Sequence, residues 1–148
     1  MFRGATALNL DAKNRLAVPS KHRDALQSLA EGRLVMTAHP HRCLLLYPQP
    51  AWEPIQEKIT SLPSLNQQAS LLQRLLVGMA EDIELDAAGR LLVPPVLRQF
   101  AGLEKQVMLV GQGGHLELWS QEGWQGQLEL AMAQGENVLP LDLAGFSL

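Results

Sequence analysis

The feature of this sequence that most constrains its fold is an internal repeat. The segment LNLDAKNRLAVPSKHR (residues 8–23) recurs 75 positions later as IELDAAGRLLVPPVLR (residues 83–98), and eight of its sixteen positions are identical without a gap. A second match follows at a spacing of 72, where CLLLYP aligns with HLELWS and Trp52 aligns with Trp124. Self-similarity of this kind indicates two copies of one supersecondary unit.

Each copy predicts the order strand, turn, strand, helix, strand, strand. Leucine and valine alternate with other residues at 8–10 and 16–18, which is typical of short half-buried strands. Pro19 and Pro94 suit the first turn of a helix, and Gly32 and Gly102 suit its end. The further strands are predicted at 34–37, 43–47, 106–110 and 115–119. Because such short strands bury little surface individually, we expect an α+β fold in which both copies form one barrel with flanking helices.

The turn shared by the two copies is Asp11-Ala-Lys-Asn-Arg15 in the first and Asp86-Ala-Ala-Gly-Arg90 in the second. Asn14 and Gly89 occupy equivalent positions of the repeat, and these two residue types adopt a left-handed backbone most readily. The aspartate can accept hydrogen bonds from the backbone of its own turn. The sequence therefore predicts the same tight, strand-flanked turn twice.

The sequence divides into four parts: a first unit at 1–52, a helical hairpin at 53–79, a second unit at 80–124, and a C-terminal helix with a flexible tail at 125–148. Ser64-Leu-Asn-Gln67 has capping-box spacing and predicts the start of an amphipathic helix. The apolar face of that helix, which includes Leu65, either covers the barrel or packs on a neighbouring subunit. Residues 136–148 lack periodicity, so we expect them to fray.

The charge is distributed unevenly along the chain. The formal net charge is only −3, which by itself argues against a nucleic-acid-binding protein. Residues 1–48, however, carry seven basic and three acidic residues, and the remaining hundred carry five and twelve. Lys13 and Arg15 bring positive charge to the first turn, whereas Ala88 replaces the lysine in the second. Such a turn suits phosphate or guanine recognition, but an aspartate–arginine pair that only holds the hairpin together is an equally open interpretation.

Several other classes of protein are disfavoured. The single cysteine, Cys43, forms no intrachain disulfide or thiolate zinc cluster, and the sequence has no apolar run long enough for a membrane span or a signal peptide. We therefore expect a cytoplasmic protein without a membrane partner, cofactor or metal. His39, His41 and Cys43 form a short cluster, but the spacing of known metal ligands is absent. A hydrolase that uses these three residues is the enzymatic alternative, although a cysteine in an apolar strand is usually inert.

The ordered set of motifs resembles the MraZ family of bacterial transcriptional regulators, in the SpoVT-AbrB superfamily. The resemblance covers nearly the whole chain. It rests on MFRGAT, two Asp-x-x-x-Arg turns each followed by Leu-x-Val-Pro, CLLLYP, WEPIQEKI, a QRLL-type helix and VMLVGQ, in that order. Asn14 stands where this family commonly has glycine.

The resemblance implies a fold, a function and an assembly. Each copy would be a swapped-hairpin β unit, and the chain would assemble into a closed ring, an octamer or dodecamer. The ring would bind direct repeats in promoter DNA upstream of the division and cell-wall gene cluster, as a nucleoid-associated repressor of its own operon. It would be no enzyme and would act on no small-molecule substrate. The DNA-contacting residues carried over are Lys13, Asn14 and Arg15, with Gly89 and Arg90 as the weaker second loop. Arg3, a basic residue close in sequence to the first turn, completes the predicted DNA-binding set.

Two further functions remain alternatives at this point. The superfamily includes small antitoxins, so a module that binds a partner protein is the first alternative. Such a module typically uses a disordered tail to wrap its partner, and the tail here is short and not obviously amphipathic. A homo-oligomeric structural protein without a ligand is the second.

Overall fold

A computed structural model describes residues 1–138 of the chain. The flexible tail expected at the C-terminus lies outside the described residues from position 139 onward. The first copy contains β1 (Phe2–Asn9), β2 (Arg15–Ala17), α1 (Ser20–Ala30), β3 (Arg33–Ala38) and β4 (Leu44–Pro48). The helices α2 (Gln49–Thr60) and α3 (Gln67–Leu76) follow. The second copy contains β5 (Glu81–Glu84), β6 (Arg90–Leu92), α4 (Pro95–Phe100), β7 (Gln106–Gly113) and β8 (Leu116–Ser120), before α5 (Gln121–Gln134) and a 3-10 turn (Gly135–Val138).

The strands form two antiparallel sheets that combine both copies. The larger has the order β1-β7-β8-β4-β3-β5, and the smaller is a two-stranded ribbon of β2 and β6. Strand pairs β1–β7, β4–β8, β3–β5 and β2–β6 each join one copy to the other. The predicted α+β class is confirmed.

The predicted barrel is not found within residues 1–138, where the larger sheet is open and has β1 and β5 at its edges. The turns between β1 and β2 and between β5 and β6 account for this difference. Asn14 and Gly89 have left-handed backbones, with φ of 60° and 76°, and the three-residue strands that follow pair with each other and not with the larger sheet. The sequence alternation predicted the strands but not this separation.

The main core lies on one face of the larger sheet, beneath the ribbon, α1 and α4. Leu16 and Leu91 from the ribbon and Leu26 and Leu97 from the two helices are at most 1% exposed and belong to one apolar cluster with the sheet residues. Alternate strand residues face the opposite way, as expected from the two-residue period of a strand. The ribbon is therefore held rigidly by its own buried side chains.

The other face of the sheet carries two smaller apolar clusters. Val35 packs with Trp52 and Ile59 of α2, and Cys43 packs with Val110 and Trp119. Helix α3 packs half-buried Leu76 against the Val35 cluster and half-buried Leu75 against the main core. It leaves Leu71 57% exposed, so its apolar residues cover the sheet only in part.

The helix boundaries confirm some sequence signals and correct others. Helix α1 ends at Glu31 and Gly32, both with left-handed backbones, as the glycine predicted. Helix α3 does not begin at Ser64: its N-cap is Asn66, whose side chain accepts a 3.1 Å hydrogen bond from the N–H of Ala69. A preceding turn, in which Asn66 N–H donates to the Pro63 carbonyl, places Asn66 at the cap and leaves Leu65 fully exposed.

The helical hairpin predicted at 53–79 corresponds in position to α2 and α3. Helix α2 begins upstream of residue 53, at Gln49, because Pro50 fits the first turn of a helix. None of the helices within residues 1–138 has the length and apolar composition needed to cross a membrane.

Candidate nucleic-acid interface

Each repeated turn is held by its own aspartate. Asp11 Oδ1 accepts hydrogen bonds from the backbone N–H groups of Lys13 and Arg15, both at 2.9 Å. Asp11 Oδ2 accepts a third bond from Arg15 Nε at 2.8 Å. Three N–H groups therefore fix the carboxylate and, through it, the shape of the loop.

The second turn repeats this arrangement. Asp86 Oδ1 accepts from the N–H groups of Ala88 at 2.9 Å and Arg90 at 2.8 Å, and Oδ2 accepts from Arg90 Nε at 3.0 Å. The geometry is thus a property of the Asp-x-x-x-Arg motif and not of the residues between, which differ. The exposed Lys13 of the first turn is the main chemical difference, since alanine occupies its place in the second.

The two turns lie at opposite ends of the ribbon. Arg15 is opposite Leu92, and Arg90 is opposite Ala17, in the antiparallel register of β2 and β6. The carbonyls of Asn14 and Gly89 extend the ladder by accepting from Val93 N–H at 3.0 Å and Val18 N–H at 3.1 Å. Asn14 and Val18, which is paired with Gly89, are four positions apart, so the turns are about 13 Å apart along the ribbon at the usual strand rise.

The electrostatics of the turns follow from these hydrogen bonds. The backbone N–H of Arg15, together with its guanidinium, lowers the pKa of Asp11 below its ordinary value, and the backbone N–H and guanidinium of Arg90 do the same for Asp86. Both carboxylates are therefore ionised at neutral pH. Each is paired with the arginine of its own turn, which reduces the repulsion that an anionic ligand would meet there.

The aspartate–arginine pair expected from the structural interpretation is present, but it uses only part of each arginine. Within residues 1–138, Nη1 and Nη2 of Arg15 and Arg90 have no hydrogen-bond or ion-pair partner. The two side chains are 30% and 36% exposed. Each turn therefore fixes the direction of a guanidinium whose outer nitrogens are open to another acceptor. Each arginine can therefore stabilise its own hairpin through Nε and still bind an external acceptor through Nη1 and Nη2.

The structure places five of the six predicted DNA-contacting residues on these turns: Lys13, Asn14, Arg15, Gly89 and Arg90. Arg3 is separate from them. It lies on edge strand β1 of the larger sheet, opposite Gln112, and its carbonyl accepts a 3.3 Å hydrogen bond from Nζ of Lys21. The side chain of Arg3 is exposed but belongs to another sheet than the ribbon.

Arg23 is a residue near the turns that the sequence reasoning left out of the site. It projects from α1 of the first copy onto Gly89 of the second turn, where an added Cβ would lie 2.6 Å from Arg23 Nη1. One signal was present in the sequence, since Arg23 and Arg98 are among the eight identities of the repeat. The sequence alone could not show that Arg23 lies close to Gly89, because this contact depends on the pairing of β2 with β6.

The histidine–cysteine cluster has no geometry for nucleophilic catalysis. Cys43 is fully buried, and burial raises the pKa of its thiol to about 12, so no useful fraction of thiolate forms at neutral pH. His39 Nδ1 accepts a 3.0 Å hydrogen bond from the backbone of His41. Among the residues described, no group of three or more histidine, cysteine or carboxylate side chains is arranged to hold a metal ion.

Comparison with known proteins gives a consistent result along the chain. A family model described as "MraZ protein, putative antitoxin-like" matches residues 1–75 and again 76–137. A protein named transcriptional regulator MraZ from Methylobacillus flagellatus is 70% identical over 148 residues, covering the whole of both chains. Proteins of the same name from Azoarcus sp. and Nitrosospira multiformis are 60% and 57% identical, also over the full length of both. The chain belongs to the MraZ family of transcriptional regulators.

Proposed function

We propose that the protein regulates transcription by binding specific DNA sequences through its two Asp-x-x-x-Arg turns. One observation carries the proposal: a rigid two-stranded ribbon presents, at each end, an arginine held at Nε by the aspartate of its own turn and open at Nη1 and Nη2. A guanidinium with two open, coplanar nitrogens fits the O6 and N7 atoms of guanine or a phosphate.

The residues of the first turn have distinct roles in this proposal. Arg15 contacts a base edge or a phosphate, and the flexible, exposed Lys13 contacts a phosphate. Asn14 lies at the tip with a side chain where the family usually has none, so it adds or blocks one base contact. Gly89 and Arg90 form the second, less basic turn, and Arg3 adds a peripheral phosphate contact.

The partner is double-stranded promoter DNA that carries direct repeats, and the regulated operon is the one that contains the protein's own gene, in the division and cell-wall cluster. The chain acts as a repressor at the nucleoid, in the cytoplasm. The units at 1–52 and 80–124 supply the DNA-facing turns, and neither the helical hairpin at 53–79 nor the segment at 125–148 contributes to them. Several chains in a closed ring, an octamer or dodecamer, multiply a weak contact per turn into useful avidity. No step of this function needs a cofactor, a metal or catalysis.

Gel-shift titration of wild type and Arg15→Ala tests the proposal, with DNA from upstream of the protein's own gene and a scrambled duplex of equal length. We expect wild type to prefer its own DNA and Arg15→Ala to lose that preference while it keeps the same mass in solution. Arg74→Ala is the matched control, because Arg74 is exposed on α3 and belongs to neither turn. Equal binding by Arg15→Ala and wild type would remove Arg15 from the interface.

A second candidate function follows from the description of the family as antitoxin-like. In that function the chain would bind a small partner protein. Affinity purification of the full-length protein from its own host, followed by mass spectrometry, distinguishes the two. A stoichiometric small protein that remains bound after nuclease treatment would favour this candidate over DNA binding alone.

A further inference from the structure

We infer that Arg23 belongs to the DNA-contacting surface, where it supplies the second turn with the cation that Ala88 fails to provide. This inference rests on the DNA-binding function proposed above. In it, the second turn is a composite of both copies: Asp86, Gly89 and Arg90 come from one copy and Arg23 from the other.

The first support is the close approach of Arg23 to the second turn. A Cβ added to Gly89 would overlap Cδ of Arg23 and would lie 2.6 Å from its Nη1. Gly89 is buried, and its φ of 76° already favours glycine. The arginine therefore covers the backbone at the tip of the turn, and the missing side chain at position 89 makes room for it.

The second support is that the charge of Arg23 is uncommitted. Arg23 is only half-buried, and within residues 1–138 its guanidinium has no hydrogen-bond or ion-pair partner. None of its nitrogens is both enclosed and unpartnered, so water reaches the charged group. An arginine placed beside another turn without any internal acceptor is suited to an external anion, and the phosphates of DNA are such anions.

The third support is the comparison with the equivalent residue of the second copy. Arg98 lines a groove beside the first turn, together with Asp11 and Asn14, so each copy directs this arginine towards the turn of the other. Nε of Arg98 is enclosed and has no partner among the described residues, unlike the nitrogens of Arg23. The first turn has Lys13 for its second cation, and the second turn has Arg23. The first turn thus has Lys13 and the half-buried Arg98 beside its own arginine, whereas Arg23 is the cation that lies beside Arg90 at the second turn.

The salt dependence of DNA affinity tests this inference, because each lost phosphate contact makes the slope of log K against log salt shallower by about 0.9. Fluorescence anisotropy with the protein's own upstream DNA is measured for wild type, Arg23→Gln and Arg23→Lys. We expect Arg23→Gln to bind about tenfold more weakly with a shallower slope, and Arg23→Lys to recover the slope. Arg74→Gln, at an exposed arginine of α3, is the control and should match wild type.

A second pair of variants tests the contact with Gly89. Gly89→Ala should displace Arg23 and reproduce the shallower slope, with little added effect in the Arg23→Gln background. Gly102→Ala controls for backbone strain, because its φ of 62° is similar and open space surrounds its Cβ position. Wild-type binding with an unchanged slope in Arg23→Gln would overturn the inference and leave the proposed function intact. Failure of wild type itself to bind DNA would instead overturn the proposed function.

Discussion

At the scale of single residues, the aspartate of each turn explains how a carboxylate is tolerated in a surface suited to an anion. Asp11 accepts three hydrogen bonds, and these lower its pKa below the ordinary 3.8. A lowered pKa means that its contribution to stability is complete above pH 3.8 and is lost as the pH falls through the lower folded value. The turn therefore keeps its shape throughout the neutral range, and any change in DNA affinity there has another origin.

Replacement of Asp11 with Asn separates the shape of the turn from the direction of the arginine. The amide oxygen can still accept from the backbone, but the NH2 group faces Arg15 Nε as a second donor. We expect about tenfold weaker DNA binding and a free energy of unfolding close to that of wild type, since water screens this partly exposed pair. Asp86→Asn, the matched variant, should weaken binding less. An affinity equal to wild type in Asp11→Asn would contradict the role given to this bond.

His22 is a buried polar residue that we expect to lower the stability of the fold. It is 3% exposed, its Nε2 has no partner within residues 1–138, and Leu97 occupies the equivalent position of the second copy. We expect His22→Leu to raise the free energy of unfolding by about 1 kcal/mol, because an unsatisfied buried group is removed. Chemical denaturation of the two proteins measures this difference.

The gain from His22→Leu should depend on pH. Burial lowers the pKa of His22 below 6.5, so the stability of wild type is complete above that value and falls as the pH drops through the lower folded pKa. The difference between His22→Leu and wild type should therefore be larger at about pH 5.5 than at about pH 8. A difference that shrinks on acidification would show that the histidine is protonated and satisfied in the folded state.

At the scale of elements, the ribbon of β2 and β6 connects the packing of the core to the site. Leu16 and Leu91 bury one side of it, and the turns at its ends lie at the surface. Strands of three residues are too short to be stable alone. The ribbon depends on hydrogen bonds between the copies and on this buried leucine pair, and the directions of both arginines depend on the ribbon.

The cap of α3 gives a test at the same scale. Asn66→Ala should lower the free energy of unfolding by about 1 kcal/mol, because its side chain satisfies the N–H of Ala69. Ser64→Ala, two positions earlier, should change it little. Thermal unfolding of both variants distinguishes the observed cap from the one that the capping-box spacing suggested. Equal losses in the two variants would contradict the assignment.

The order of elements and the shape of the turns were predictable from the sequence because both depend on local signals. Alternation marks the strands, proline and glycine mark the helix ends, and the aspartate of each turn bonds within five residues. The pairing of β2 with β6 and the position of Arg23 over Gly89 join residues 66 or more positions apart, and no local pattern reports such contacts. The cap was misassigned for a different, local reason: serine and asparagine are comparable caps, and the turn between Pro63 and Asn66 decides between them.

At the scale of the whole molecule, the two copies are parts of one structure. Four strand pairs join them, and the pairs β3–β4 and β7–β8 lie within single copies. We expect a fragment of residues 1–79 to be unfolded as a monomer, because all four of its strands, β1 to β4, would each lose a partner strand. Circular dichroism with analytical ultracentrifugation checks this. A stably folded monomer of that fragment would contradict the shared fold.

The net charge of −3 shows why the whole-molecule average is uninformative for this chain. It combines a basic first third with an acidic remainder, and the structure brings the basic Arg23 of the first copy onto the turn of the second. Each chain therefore presents only a few basic side chains to the proposed DNA ligand. Assembly of several chains would multiply that number without changing the average charge.

The central claim is that the fixed arginines of the Asp-x-x-x-Arg turns bind DNA. The affinity of wild type and of Arg15→Ala for the DNA upstream of the protein's own gene, measured across a range of salt concentrations, tests it most directly. We expect wild type to discriminate against a scrambled duplex with a steep salt dependence, and Arg15→Ala to lose both properties at an unchanged assembly mass. Wild type that binds neither duplex, or Arg15→Ala that binds as wild type does, would contradict it.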